Sequence, residues 1–223
     1  MKLPDFIGLE ISEALRRFHN LTPIVEYFIV MEDKFKYLRD RQKNNLEKLL
    51  VDWSYYFFLN CASCFLRGQW PMARVAARCS IESAWYHLRL IGGEFHDEGT
   101  DSFSPERFQQ HAYRKGKPLK VYSAIYPAID ETIVLYEALG ENGPHAYFKA
   151  FAERTIEKGE MKLFITDGRG QRDESREFLK IADVFTHVFR VHGIRLEKHM
   201  GYGLTLLEVM GRVDAIRSAD IKD

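Results

Sequence analysis

Leu49-Leu50-Val51-Asp52-Trp53-Ser54-Tyr55-Tyr56-Phe57-Phe58-Leu59-Asn60-Cys61-Ala62-Ser63-Cys64-Phe65-Leu66 is apolar almost all round. A helix without a polar face is a central helix, enclosed by other helices or by a partner subunit. Asp52, Ser54, Asn60 and Ser63 interrupt the stretch, so no run of ~20 uninterrupted apolar residues exists, and a buried helix is the better reading than a membrane span. From Ile24 to Arg67 there is neither Gly nor Pro. One unbroken helix of that length would be about 66 Å long, twice the width of a small domain. The polar patch Arg39-Asp40-Arg41-Gln42-Lys43-Asn44-Asn45 is the place for a bend or a solvent-exposed middle, so residues 24–67 form one long helix or a helix pair.

Outward from this stretch the helical period persists. Ile7, Ile11, Leu15 and Phe18 form one stripe, and Glu10, Glu13, Arg16 and Arg17 are left for water. Thr22-Pro23 reads as an N-cap with proline at the first helical position. Pro71 opens a helix with Ile81, Trp85 and Leu88 as its stripe, ending at Gly92-Gly93. Ser104-Pro105-Glu106 caps a short helix, and Ile125, Ile129, Ile133 and Tyr136 mark another, with Pro127 a kink or break. Pro144 opens a helix with Phe148, Phe151 and Ile156. Met161 to Thr166 is the only strand-like stretch; one strand makes no sheet, so it reads as a helical turn or irregular chain. Gly168 to Asp173 is a loop, after which Phe178, Ile181, Phe185 and Phe189 mark one helix and Leu206, Met210, Val213 and Ile216 the last. The fold class is all-α: one domain over residues 1–223, a bundle of about 7–9 helices with short connections.

With 223 residues, 46% hydrophobic and 29% charged, the chain has ample material for a core, and disorder, collagen and disulfide-scaffold classes are excluded. A formal net charge of zero argues against a protein built as a whole to coat nucleic acid. The N-terminus carries Asp5 and Glu10 where a secretory signal needs an apolar run. Three cysteines, Cys61, Cys64 and Cys79, are an odd number at no disulfide-framework spacing, which points to a reducing, cytoplasmic compartment.

Few constellations suggest chemistry. Cys61-Ala62-Ser63-Cys64 lies inside an apolar run with no helix start in sight, so core packing outweighs thiolate or zinc chemistry. No Glu-x-x-His or His-Glu-x-x-His occurs, so the reading includes no metal and no cofactor. His192 and His199 are seven apart with Gly193 between them and read as a partly exposed neutral pair. The loop Glu94 to Asp101 holds four carboxylates, but an EF-hand register from Asp97 meets Gly99 and Phe108 at ligand positions; it reads as a solvated acidic loop. Arg114, Lys115, Lys117 and Lys120 form a local basic stretch that could contact phosphate. On the helix with Ile81 and Trp85, Arg78 and Glu82 are i,i+4 neighbours, an expected structural ion pair that fixes register.

The run Ala73-Arg74-Val75-Ala76-Ala77-Arg78-Cys79-Ser80-Ile81-Glu82-Ser83-Ala84-Trp85-Tyr86-His87-Leu88 resembles the Arg-x-x-x-Glu helix of HEPN-like helical proteins associated with abortive infection. The resemblance covers this helix and the long one before it. Ribonucleases of that family carry Arg followed by four to six residues and His at a dimer interface. Here Arg89 and His96 match, with Gly92-Gly93 between them. The resemblance implies that Arg89 positions phosphate and His96 does acid/base work.

The reading that best fits the residues is a soluble, non-enzymatic interaction or accessory protein. It acts as a homodimer that buries one side of the Leu49–Leu66 helix, with a further protein partner and no membrane. One alternative is a HEPN-like, metal-independent ribonuclease with Arg89 and His96 as catalytic residues; RNA is then a partner that the net charge does not itself indicate. The other is a binder of an apolar small molecule in an aromatic-lined pocket, motivated by 16 Phe, 11 Tyr and 3 Trp.

Overall fold

The arrangement of helices follows from where the chain can stop one helix and start the next. The computed structural model describes residues 3–95, 120–141, 156–157, 160–161, 171–198 and 200–220. Among the described residues there are seven α-helices: α1 (Leu3–Asn20), α2 (Thr22–Asp40), α3 (Asn45–Leu66), α4 (Trp70–Ile91), α5 (Ile129–Glu141), α6 (Gln171–His192) and α7 (Met200–Asp220). Short 3-10 turns at Lys120–Ala124 and Ile194–Leu196 precede α5 and α7. The fold is an all-α bundle. Two strands of two residues each, Ile156–Glu157 and Glu160–Met161, pair antiparallel with Ile156 opposite Met161. Ile156 therefore lies in a strand and not on the expected helix, and Met161 lies in a strand and not in a helical turn. The cap at Ser104, the helix from Pro144 through Phe151, and residues His96, Arg114, Lys115, Lys117 and His199 lie outside the described residues.

The Ile24–Arg67 segment is two helices. α2 stops at Asp40, and Asn44, extended at φ −136 and ψ 168, caps α3 by accepting from the Glu47 amide at 2.9 Å. Glu47 reaches back to the Lys43 amide at 3.0 Å, a reciprocal arrangement close to a capping box. Thr22 is the first residue of α2 and not its cap; its hydroxyl donates to the His19 carbonyl at 3.4 Å.

α3 and α4 each end in a Schellman motif. At Gly68, φ is +73, and the amides of Gly68 and Gln69 donate to the carbonyls of Phe65 and Cys64 at 2.9 and 2.8 Å. At Gly93, φ is +81, and the amides of Gly93 and Glu94 donate to Leu90 and Arg89 at 3.2 and 3.1 Å. Both positions need the left-handed backbone that glycine adopts without penalty. Pro127 stands between the Lys120–Ala124 turn and α5, where a helix through it would lose a hydrogen bond.

The core is aromatic. Phe28 of α2, Phe58 and Phe65 of α3, and Phe178 and Phe185 of α6 meet edge to face: Phe58–Phe185 centroids are 5.0 Å apart and Phe28–Phe178 5.6 Å. Such pairs add ~0.5–1.5 kcal/mol each beyond the area they bury. α3 packs most extensively on α4 and also touches α1, α2 and α6. It is the one helix among the described residues long and apolar enough, by length and composition, to cross a bilayer. In the fold it is half-enclosed: Leu50, Val51, Ser54, Phe58, Cys61 and Phe65 face inward, while Leu49, Trp53, Tyr56 and Leu59 face out.

Candidate functional site: a sealed serine–histidine network

α4 carries small residues at Ala73, Ala76, Ala77, Ser80, Ser83 and Ala84, all buried. Their spacing of three and four places them on one stripe, and short side chains let α3 approach closely. The hydroxyls in that seam pair across it. Ser83 donates to the Leu50 carbonyl at 2.7 Å, and Ser54 and Ser80 donate to one another's carbonyls at 3.4 Å.

His87 extends the same stripe by one turn, and His192 extends the Phe178, Ile181, Phe185, Val188 face of α6. The two rings meet with Nδ1 atoms 2.6 Å apart, and the Nε2 of His192 lies 2.7 Å from the Ser54 hydroxyl. Both imidazoles are 1% exposed and Ser54 is fully buried. Gln42, in the α2–α3 link, ties the end of α6 by donating to the carbonyls of His192 and Leu38 at 3.2 and 3.0 Å.

Two imidazoles that share an Nδ1···Nδ1 contact must split roles, one donating and one accepting. If His87 Nδ1 donates to His192, then His192 Nε2 donates to Ser54, and Ser54 donates to the Ser80 carbonyl. Every donor is then used, and only the buried His87 Nε2, which has no partner, is left as an empty acceptor. The opposite arrangement strands an N–H in the core, the costlier defect. Burial, followed by the nearby Arg195 guanidinium, lowers the His87 pKa to about 3. Burial and then His87 itself hold His192 well below its usual value. Both rings are therefore neutral at pH 7.

Arg195, on the turn after α6, forms an ion pair with Glu47, whose side chain is 1% exposed. The same carboxylate serves as the back-reaching partner of the α3 cap, so cap, ion pair and histidine pair form one polar column inside an aromatic bundle. The column gives no substrate a way in, because each ring and hydroxyl is enclosed. A third histidine, His187 of α6, stands between the Tyr126 hydroxyl at 2.7 Å and Glu131 at 3.3 Å. Burial pushes the Tyr126 phenol up to about 12 and lowers His187.

The other sequence candidates fall elsewhere. Arg89 is 8% exposed, with its Nε 3.6 Å from Glu94. The Schellman turn at Gly93 causes this pairing, because it brings residues five apart across the helix end side by side. Glu94 in turn accepts from the Tyr122 hydroxyl. Tyr136 of α5 sits between Arg78 and Glu82: the guanidinium lies 3.9 Å above its ring, and its hydroxyl donates to Glu82 at 2.5 Å. Arg74 of α4 bridges to α6, bound to Glu177 through two nitrogens, one at 2.9 Å. Burial opposes ionisation of Glu177, and the guanidinium overrides it, holding the carboxyl below its usual value.

Lys120 begins the 3-10 turn. Cys61 is in the core, where burial raises its thiol well above the ordinary range, and Cys64 and Cys79 are half-buried, all three as free thiols. Among the described residues no group of three His, Cys, Asp or Glu could hold a metal. A surface recess of about 410 Å³ is lined by Tyr37, Arg41, Leu196, Met200 and Gly201, with Arg41 stacked 3.7 Å over Tyr37.

The contacts of His87 and Ser54 with His192 are not legible in the sequence, because each residue looks incidental there. The signal that finds them is polarity at a core position: Ser80, Ser83 and His87 on the small-residue stripe, and His192 on the aromatic face of α6. His192 is fully enclosed and not partly exposed as expected, and it meets His87; the expected partner His199 lies outside the described residues. In comparisons with known proteins no family model matches this chain, and neither the curated proteins nor the solved structures give a match.

Proposed function

We propose that this chain is a non-enzymatic interaction protein that works as a homodimer in the cytoplasm and uses the outward face of α3 as its contact surface. The observation that carries the reading is that face itself. Leu49, Trp53, Tyr56 and Leu59 follow one another at four, three and three residues and are 44, 41, 60 and 42% exposed. The spacing is that of a helix stripe meant for burial, and aromatic residues dominate the energetic centres of interfaces. The enclosed histidine column supports the non-enzymatic part, since its groups hold helices together and do not face solvent. Free thiols at Cys61, Cys64 and Cys79 support the reducing compartment.

Native mass spectrometry tests the assembly: a species at twice 26.1 kDa is expected at micromolar concentration, without bound nucleic acid. Tyr56→Glu should convert it to monomer. A wild-type monomer would overturn the reading, and RNA retained through purification would shift it to the ribonuclease alternative.

A further inference from the structure

α1 is an amphipathic helix, and the described part of its apolar stripe is turned to water. Among its described side chains Arg17 alone is buried, while Ile11, Leu15 and Phe18 are 56, 56 and 46% exposed. Among the described residues its anchorage lies at the C-terminal end. The Arg17 guanidinium lies 5.6 Å from the Trp70 ring centre and against Gly68, and Leu21 enters the core directly after it. α1 also packs against α3, the helix with the other unpartnered stripe.

Area decides what these two stripes can do. With large side chains offering ~150–250 Å² each, the exposed fractions on α3 amount to roughly 400 Å², within the 300–600 Å² of the largest patch on an ordinary monomer. α1 adds on the order of 300 Å² and takes the sum past that range. Two copies that covered both stripes would bury about 1,400 Å² of apolar surface. At about 65% apolar, that corresponds to roughly 2,000 Å² in all, the size of a permanent homodimer. The α3 stripe alone gives about 1,200 Å² on the same basis, the lower limit for a specific contact.

We infer that α1 is an arm that lies across α3 of a second copy of this chain, with Ile11, Leu15 and Phe18 set against Leu49, Trp53, Tyr56 and Leu59. This rests on the homodimer reading above and specifies its geometry. Both stripes have helical spacing, so a helix laid on a helix face can mesh them. Each chain carries one arm and one receiving face, which a two-fold axis satisfies twice with the same contact. A net charge of zero sets up no overall repulsion between copies.

The test mixes two differently tagged full-length chains, one Leu15→Cys and one Tyr56→Cys, under mild oxidation, with wild-type mixtures as the control for the native cysteines. A disulfide between the two tags at least tenfold above that control is expected, together with a rise of 100-fold or more in dimer Kd for Leu15→Glu and for Tyr56→Glu. Both positions are at exposed side chains, and circular dichroism checks that the helices persist. A stable dimer that ignores Leu15→Glu and gives no mixed disulfide would overturn the arm while leaving the α3 homodimer in place. A wild-type monomer would overturn both. A dimer lost only on Leu207→Glu would move the contact to α7, where Leu207 is 66% exposed, and would also overturn both.

Discussion

The two faces of α3 are close in hydrophobicity and opposite in fate. The inward face carries Glu47, Leu50, Ser54, Phe58 and Cys61, and includes the helix's buried charge and its buried hydroxyl. The outward face carries Leu49, Trp53, Tyr56 and Leu59, with no charge among those four. Hydropathy alone does not decide between them, since Val51 and Phe65 also lie on the inward face. Complementarity decided instead: Ser54 fits the narrow seam with Ser80 and meets His192, Glu47 meets Arg195, and Phe58 meets Phe28, Phe35 and Phe185. Polar groups enter a core when every one finds a partner, and these apolar groups stay outside because nothing among the described residues covers them.

The sharpest way to break the comparison is to truncate one aromatic on each face. Phe58→Ala should cost about 3–5 kcal/mol of unfolding free energy, because its ring is 1% exposed and its cavity is walled by other rings. Tyr56→Ala, measured in the monomer range by urea titration, should stay within about 0.5 kcal/mol. Equal losses at the two positions would mean that the outward face is packed within a single chain after all.

Next in size is the buried charge. Arg195→Ala leaves Glu47 enclosed without its cation, for which a loss of about 3 kcal/mol is expected. Glu47→Gln in the Arg195→Ala background should recover part of it, since an amide costs less to bury than a carboxylate. No recovery would show that Arg195 contributes through packing alone.

The histidine pair sharpens the comparison through pH. Its rings are neutral when folded and titrate near 6.5 when unfolded. The unfolded chain therefore takes up protons that the folded one refuses as pH falls from 6.5 towards 3. Stability is full above about pH 6.5 and drops below it by about 1.4 kcal/mol per pH unit for each ring, up to about 3 for the pair. Urea midpoints at pH 7.5, 6.5 and 5.5 measure this. A His87→Phe/His192→Phe chain should flatten the slope, and an unchanged slope would assign it to other groups, His187 first.

Much of the helix layout was legible in the residues. Gly68 and Gly93, Pro127 and the Asn44 cap are local signals, and each acts within one turn of the backbone it controls. The polar patch at 39–45 marked the bend because no apolar stripe runs through it. The α3–α4 seam was legible only in part: the alanines of α4 announce close packing, but not which helix they receive. The histidine column was hidden, because His87 and His192 are 105 residues apart in the chain and a ring nitrogen announces nothing about its partner. Arg89 shows the opposite lesson. Its pairing with Glu94 follows from the glycine cap between them, a short-range effect available in the sequence once the Schellman turn is read.

The residues by themselves determined that this chain is a helical bundle, where most of its helices stop, and that its core is built from phenylalanine. These are consequences of backbone sterics and of side-chain period, which act over a few residues. Only the tertiary structure decided which face of α3 lies inside, that two histidines share a hydrogen bond there, and that Ile11, Leu15 and Phe18 of α1 and the outward stripe of α3 stay exposed. Those outcomes depend on the positions of several helices at once, and steric fit and hydrogen-bond partnership between distant segments are not properties of any one of them.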